Sequence, residues 1–356
     1  MNLAAEGLCM QDSRKALAST GIVLALFFLI NSLLLAISSP YAHNYDWYLR
    51  EDLSGSLDFL IVGASHGQCA LYTREIDRIT GSNSYNLCYD SEKNFEKEYL
   101  LSKELSRNNI KTVVIELSYD TLQSSRRTDY ADANVFSIMR MDSFSDRIQY
   151  FSRNVKFDNK LYVYAGVMCH RLLGMLQQKH IEEEQIDLKG SRFISGKDYC
   201  LLPEEVVDAY NKNEFSVSSF KEDTVNGFTD LIDLCQEHGA KVIVAVVPVS
   251  DNFLWHMDNL DEFSAWAKEY CAENHVEYYD FNLLKDRYIL FSDKDCYSTD
   301  THHMSEKGSR VFSGIFANTI QKASDGQDVS DYFYSSFDEM KQDSPYMSTY
   351  RIKCSL

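Results

Sequence analysis

The chain has 356 residues, 25% of them charged and 45% hydrophobic, with only 15 Gly and 4 Pro. That composition excludes a disordered, collagen-like or polytopic membrane chain and leaves room for one large domain with appendages or for two modest ones. The 35 Lys and Arg stand against 53 Asp and Glu, and the resulting net charge of -18 repels phosphate backbones and argues against nucleic acid as a partner.

Residues 16–39 (ALASTGIVLALFFLINSLLLAISS) lie within a stretch that has no Asp, Glu, Lys or Arg between Lys15 and Asp46. Such a length spans a bilayer. Arg14 and Lys15 precede it and the nearest charge beyond is acidic, so the positive-inside rule places residues 1–15 in the cytoplasm and the rest of the chain outside. A cleaved signal peptide is the rival reading, because Ala36 and Ser38 form a small-residue pattern, but the apolar region exceeds the ~7–15 residues of a signal h-region. The expectation is a single-pass anchor in the cell membrane. The nine cysteines are scattered without C-x-x-C or zinc-ligand spacing. Eight would lie outside, where disulfides are permitted, although Cys235 sits in an apolar helical pattern and reads as a buried thiol.

Beyond the anchor, apolar runs alternate with helical patterns, which predicts a three-layer α/β/α domain with a parallel sheet over residues 50–322. Residues 59–62 (FLIV) read as a buried strand ending at Gly63-Ala64-Ser65-His66-Gly67, followed by a helix to about Ile79. Residues 85–88 form a short strand, Asn94 caps a helix carrying Leu100, Leu101 and Leu105, and residues 112–117 (TVVIEL) form the next strand. Between Asp120 and Glu214 the strand pattern lapses. The helical stretch 161–178 and the charged run 180–184 there read as a helical insertion (residues 120–214) covering one face of the sheet. Residues 219–222 (SFKE) form a capping box opening a helix with Phe228, Leu231, Ile232 and Cys235 on one side. The run 242–247 (VIVAVV) predicts a central strand covered on both faces. A helix near 265–273 leads to a last strand at 276–281, and Ser305 caps a final helix with Val311, Phe312, Ile315 and Phe316 as its buried stripe. Residues 323–356, acidic and aromatic, read as a peripheral extension or partly disordered tail.

Ser65 sits where a buried strand gives way to a helix, with Gly63 and Gly67 supplying backbone freedom for a sharp turn. The carboxyl ends of strands in open α/β sheets bind ligands, and N–H groups opening the next helix can stabilise an oxyanion. Ser65 is therefore a candidate nucleophile, and a plain serine N-cap is the simpler alternative. Near the other end stands Thr299-Asp300-Thr301-His302-His303-Met304-Ser305. An Asp three residues before a His can accept from the imidazole Nδ1–H and leave Nε2 free to take a proton from a serine. The simpler alternative is a turn aspartate beside two surface histidines.

The early strand-to-helix Ser and the late D-x-x-H before the last helix resemble the SGNH (GDSL-like) hydrolase superfamily, over about residues 58–322 with a gap at the insertion. DFLIVGASH, the SYNL of the second strand and D-x-x-H-M-S-x-x-G behind an anchor are similar to the bacterial cell-envelope branch. That branch includes the protein of teichoic-acid D-alanylation and the polysaccharide O-acetylation proteins. The resemblance implies an SGNH-like, flavodoxin-like sheet, with Ser65 as nucleophile, His303 as general base and Asp300 as its orienter. His302 is the register alternative. It also implies an acyl donor delivered by a membrane-bound O-acyltransferase and a cell-envelope polysaccharide or teichoic-acid-like acceptor, with no cofactor.

The chain departs from the superfamily in its middle blocks, which read Cys88-Tyr89-Asp90-Ser91 and Ser118-Tyr119-Asp120, without the oxyanion Gly and Asn. The backbone N–H of Ser65 or His66 is then the expected oxyanion donor, with Gly67 beside it and Ser118 a side-chain candidate. His66, adjacent to Ser65, should point away from it and shape the pocket. A zinc site from the three histidines and Asp300 has no H-x-x-x-H or H-E-x-x-H helix behind it, so no metal is expected. Three readings follow: an anchored O-acyltransferase, an SGNH esterase or deacetylase, and an anchored binding protein that has lost catalysis.

Overall fold

In a computed structural model of the chain, the described residues are 15, 18–23, 25–27, 29–30, 55–89, 94–119, 121–123, 134–135, 137–138, 141, 143–167, 189–193, 216–254, 257, 259–291, 293–297 and 302–343, without the side chains of 94–96, 252, 293 and 294. Two compact units divide the chain: residues 1–46 with 129–180, and residues 47–128 with 181–356.

The second unit holds five parallel strands, β1 (Ser56–Val62), β2 (Ser84–Asn86), β3 (Asn109–Glu116), β4 (Lys241–Val246) and β5 (Glu277–Asp280), in the order β2-β1-β3-β4-β5. The predicted α/β parallel sheet is thus present, and its strand order reverses direction between β1 and β3. A crevice opens at such a switch point, outside the carboxyl ends of the two strands. β4 buries every residue from Val242 to Val246, as a strand covered on both faces must. On one face Ile61, Val114, Ile243 and Ala245 pack with Ile76, Phe312, Phe316 and Ile320 from α2 (Thr73–Thr80) and α6 (Glu306–Ser324), with α1 (Ser65–Ala70) alongside. Side chains alternate along a strand, so Leu60, Val113 and Val244, all fully buried, face the opposite layer. There α3 (Asn94–Arg107) packs on α4 (Glu222–Glu237), and α5 (Leu260–Glu273) covers β5.

Several local expectations are corrected by hydrogen bonding. The helix expected through Ile79 is broken at Leu71 and Tyr72 because polar side chains from elsewhere take over its backbone groups. Ser309 and Ser313 of α6 donate to the Ala70 carbonyl at 3.3 and 3.1 Å, and the Tyr72 N–H donates to Ser313 Oγ at 2.7 Å. Asn86 Nδ2 donates to the Leu71 and Gly67 carbonyls at 2.9 and 3.0 Å. The expected capping box at Ser219 is absent. Ser219 ends a 3-10 turn (Val217–Ser219) and its hydroxyl donates back to the Ser216 carbonyl at 2.6 Å, so α4 opens at Glu222 behind Lys221. Ser305 does cap α6, accepting from the Gly308 N–H at 3.3 Å.

The expected insertion is divided between the two units. Lys189, Gly190 and Ser191 belong to the sheet unit, where the Asn86 N–H donates to the Lys189 carbonyl at 3.0 Å and Ser191 Oγ donates to the Leu71 carbonyl at 3.0 Å. Of the two alternatives for the tail, residues 329–343 follow the packed extension. Phe333 bridges to Leu284, while Phe337 and Met340 of α7 (Phe337–Gln342) are fully buried. The Phe337 N–H donates to Asp261 Oδ1 of α5 at 2.6 Å. Residues 344–356 lie outside the described residues, as does the run 180–184. Cys69, Cys88, Cys235, Cys271 and Cys296 are buried, and burial pushes the thiols of Cys235 and Cys271 up to about 12. Cys9, Cys169, Cys200 and Cys354 lie outside the described residues.

In the first unit, Ser143 caps the helix Phe144–Asn154, and the Tyr150 hydroxyl donates to Asn134 at 3.1 Å. The Phe27 and Tyr164 rings lie 5.5 Å apart. No helix among the described residues is long and apolar enough to cross a membrane. Residues 31–39 of the expected span lie outside them.

α3 carries a buried carboxyl, that of Glu104, which accepts from Asn108 Nδ2 at 2.7 Å. Glu104 is 1% exposed, and burial pushes it up to about 7. An unfolded glutamate releases its proton near ~4.3, so between that pH and about 7 the folded state holds a proton that the unfolded state has lost. Stability should therefore fall as pH rises through this window, by on the order of 1–3 kcal/mol. Glu104→Gln is expected to flatten that part of the slope in urea midpoints measured from pH 4.5 to 8; an unchanged slope would mean that Glu104 ionises normally.

Candidate active site

Ser65 is the first residue of α1 and not its cap. Ala64 holds the cap position in extended backbone, with no side-chain hydrogen bond. The serine hydroxyl is thereby left to other partners, and His303 Nε2 lies 2.7 Å from Ser65 Oγ across 238 residues of sequence. Both side chains are partly buried. His303 stands two residues before the Ser305 cap of α6, the helix whose Ser309 and Ser313 shape the corner after α1. One helix therefore fixes both ends of the pair. His302, the register alternative, packs its ring 4.3 Å from that of His303 and 5.3 Å from that of Phe253. Asp300 lies outside the described residues.

The feature that sequence reasoning missed is Glu116. This last residue of β3 is 1% exposed, and its carboxylate bridges the two strand ends of the switch point. Oε2 accepts from the Ala64 N–H at 2.8 Å and Oε1 accepts from the Ser118 hydroxyl at 2.5 Å. Gly63 and Gly67 make room for it. A Cβ on Gly63 would lie 2.5 Å from Glu116 Cβ, and one on Gly67 would lie 2.7 Å from Cys88 Sγ and 2.9 Å from Glu116 Cβ. These glycines serve close approach; neither has the left-handed backbone that a need for conformational freedom would show. The available signal was the acidic residue inside the apolar run TVVIEL, since a charge at a buried strand end needs partners.

His66 continues this chain of contacts, its Nδ1 lying 2.9 Å from Ser118 Oγ. Ser118 gives its one proton to Glu116, so its oxygen accepts from His66 Nδ1–H, and the imidazole is held as the tautomer with a bare Nε2. Its ring stacks on that of His303 with centroids 4.8 Å apart and planes at 21°, and meets that of His302 at 5.1 Å. Ser118 is correspondingly a link between Glu116 and His66, with no proton left for a substrate oxygen. The first intrahelical bond of α1 is Gln68 N–H to the Ala64 carbonyl at 3.1 Å, so the N–H groups of Ser65, His66 and Gly67 precede the i to i−4 ladder. Asn86, in β2, is a structural clamp: besides binding α1 it accepts from the Cys88 N–H at 2.9 Å.

No family profile and no curated protein matches the chain. Among solved structures it is similar to an inferred SGNH hydrolase from Slackia heliotrinireducens, at 11% identity over 74% of this chain and 99% of that one, with a TM-score of 0.38. It is also similar to an inferred acylhydrolase (BF3764) from Bacteroides fragilis, at 10% identity over 78% of this chain and 88% of that one, with a TM-score of 0.34.

Proposed function

We propose that the chain catalyses serine-dependent acyl transfer, as an esterase or O-acyltransferase. The observation that carries this reading is the 2.7 Å contact of Ser65 Oγ with His303 Nε2, placed at the sheet's switch point, where α/β enzymes bind ligands. Ser65 Oγ attacks the carbonyl carbon of an ester and its proton passes to His303 Nε2. The N–H groups of Ser65 and His66, with Gly67 behind them, receive the developing oxyanion. Collapse breaks the bond to the donor alcohol, which leaves with the proton from His303. A second hydroxyl, deprotonated by His303, then attacks the acyl-Ser65 ester and releases the serine. Asp300 holds Nδ1 of His303 in this scheme.

The finer reading is an O-acyltransferase anchored in the cell membrane by residues 16–39, working outside the cytoplasm on an envelope polysaccharide. A membrane-bound O-acyltransferase supplies the acyl group. Its support is the uncharged stretch between Lys15 and Asp46, since tethering raises the effective concentration of an acyl group emerging at the membrane. The -18 charge argues mildly against a strongly anionic acceptor such as teichoic acid.

The test traps the intermediate. Full-length chain in detergent is mixed with a small acetyl ester, quenched in acid and digested, and the Ser65 peptide is weighed with and without added oligosaccharide. An acetyl group on Ser65, absent after Ser65→Ala, supports acyl transfer; its passage to the saccharide rather than water supports the transferase over the esterase. No adduct, with equal ester consumption by wild type and Ser65→Ala, would leave the anchored binding protein. In cells, envelope glycan from a Ser65→Ala strain should carry less ester, and unchanged ester content would refute the glycan assignment.

A further inference from the structure

We infer that His66, His302 and His303 form a binding site for a late first-row divalent cation of the Zn2+ class, and that its occupancy switches off the Ser65 pair. One ring nitrogen from each of the three residues lies within 4.8 Å of the others. The ring centroids are 4.3 to 5.1 Å apart. A tetrahedral ion bound at ~2.0–2.1 Å from each nitrogen needs nitrogens roughly 3.3 Å apart with their lone pairs converging, so the partly buried rings must turn to close the site, those of His66 and His303 out of their stacked arrangement. Three imidazoles leave a fourth position for water, and imidazole is a ligand suited to Zn, Cu and Ni and poorly suited to Mg or Ca.

The second observation concerns what stands behind the cluster. A metal-binding histidine is characteristically held by an outer hydrogen bond from its other ring nitrogen to a carboxylate or its relay, which fixes the tautomer and raises ligand basicity. His66 has that support. The Glu116 carboxylate accepts from Ser118 at 2.5 Å, Ser118 lies 2.9 Å from His66 Nδ1, and a bare Nε2 results. A pocket-shaping ring needs no such support, and the contact of Ser65 with His303 makes no use of it.

The consequence for Ser65 follows from the chemistry of one imidazole. Coordination through His303 Nε2 occupies the lone pair that would take the serine proton. Coordination through Nδ1 leaves the neutral ring with its hydrogen on Nε2, which can donate to Ser65 Oγ but cannot accept from it. Either mode removes the general base, so the bound ion is an inhibitor of acyl transfer and its removal restores activity. The binding half of this inference stands apart from the acyl-transfer reading, and the inhibitory half rests on it.

Two measurements separate them. Zn2+ titrated into metal-free full-length chain, in competition with a chromophoric chelator, is expected to fill one site that His302→Ala weakens by at least about 100-fold. Ser118→Ala, which removes only the outer support, should weaken it by about 10- to 100-fold. Mg2+ should not bind there. Separately, adduct formation at Ser65 by a fluorophosphonate, followed by intact mass, should be suppressed by saturating Zn2+ and restored by EDTA in the wild type. In His302→Ala it should proceed with or without the ion. Zn2+ binding indifferent to both His302→Ala and His66→Ala would overturn the site. Undiminished labelling at saturating Zn2+, or ester turnover that Zn2+ stimulates and EDTA abolishes, would overturn the inhibitory role. Absence of labelling even in EDTA would refute the acyl-transfer reading and the inhibition with it, with the metal site still decided by the titration.

Discussion

Ser65→Ala and His303→Ala are each expected to lower turnover of a small ester by on the order of 10^3-fold or more, and the double variant by no more than the worse single. The two groups act on one proton. Once Ser65 Oγ is gone, the His303 Nε2 that lies 2.7 Å from it has nothing to deprotonate, and without the base the hydroxyl is an ordinary alcohol. Both side chains are only partly buried, so neither truncation should unfold the sheet, and unchanged urea midpoints would establish that the loss is chemical. Losses that multiply in the double variant would mean independent roles. A His302→Ala loss as large as that of His303→Ala would assign the base to the wrong histidine.

The largest effect on stability is expected at Gly190, where alanine should cost more than about 3 kcal/mol. Gly190 has φ +82°, and a Cβ there would sit 1.8 Å from the Asn86 carbonyl oxygen. Backbone cannot yield as a flexible side chain can, and the Lys189 carbonyl next to it accepts from the Asn86 N–H at 3.0 Å. Gly239 is the internal control: its φ is +75° but nothing lies within 4 Å of its would-be Cβ. Gly239→Ala should thus cost only the left-handed penalty, roughly 1–2 kcal/mol. Trp266 lies on α5 in the sheet unit, so urea midpoints can be followed by its fluorescence. Equal midpoint shifts for the two variants would refute the close approach at Gly190.

The contrast between these glycines shows where sequence is informative. VIVAVV was legible as a doubly covered strand because burial on both faces demands an unbroken apolar run. The Ser305 cap and the stripe of α6 were legible because they repeat at helical spacing. The break at Leu71 and Tyr72 was not, since Ser309, Ser313 and Asn86 supply its polar partners from elsewhere in the sequence, and nothing local marks it. The packing of residues 329–343 was not legible for a related reason: Phe337 and Met340 are buried but carry no strand pattern of their own. At the site, Ser65 and His303 were visible as types at recognisable positions. Glu116 was visible only as an acid out of place, and its bonds to Ala64 and Ser118 depend on strand order, which no local pattern encodes.

The separation of Ser65 from His303 also sets a schedule for synthesis. A ribosome adding ~5–20 residues per second needs roughly 10–50 s to travel the 238 residues between them. Throughout that interval the emerging serine has neither its imidazole nor the Ser309 and Ser313 hydroxyls that hold the corner after its helix. A chain cut short anywhere before residue 302 would therefore display an unreactive alcohol on an unfinished turn. The contact between Ser65 and His303 can therefore form only once α6 is being made.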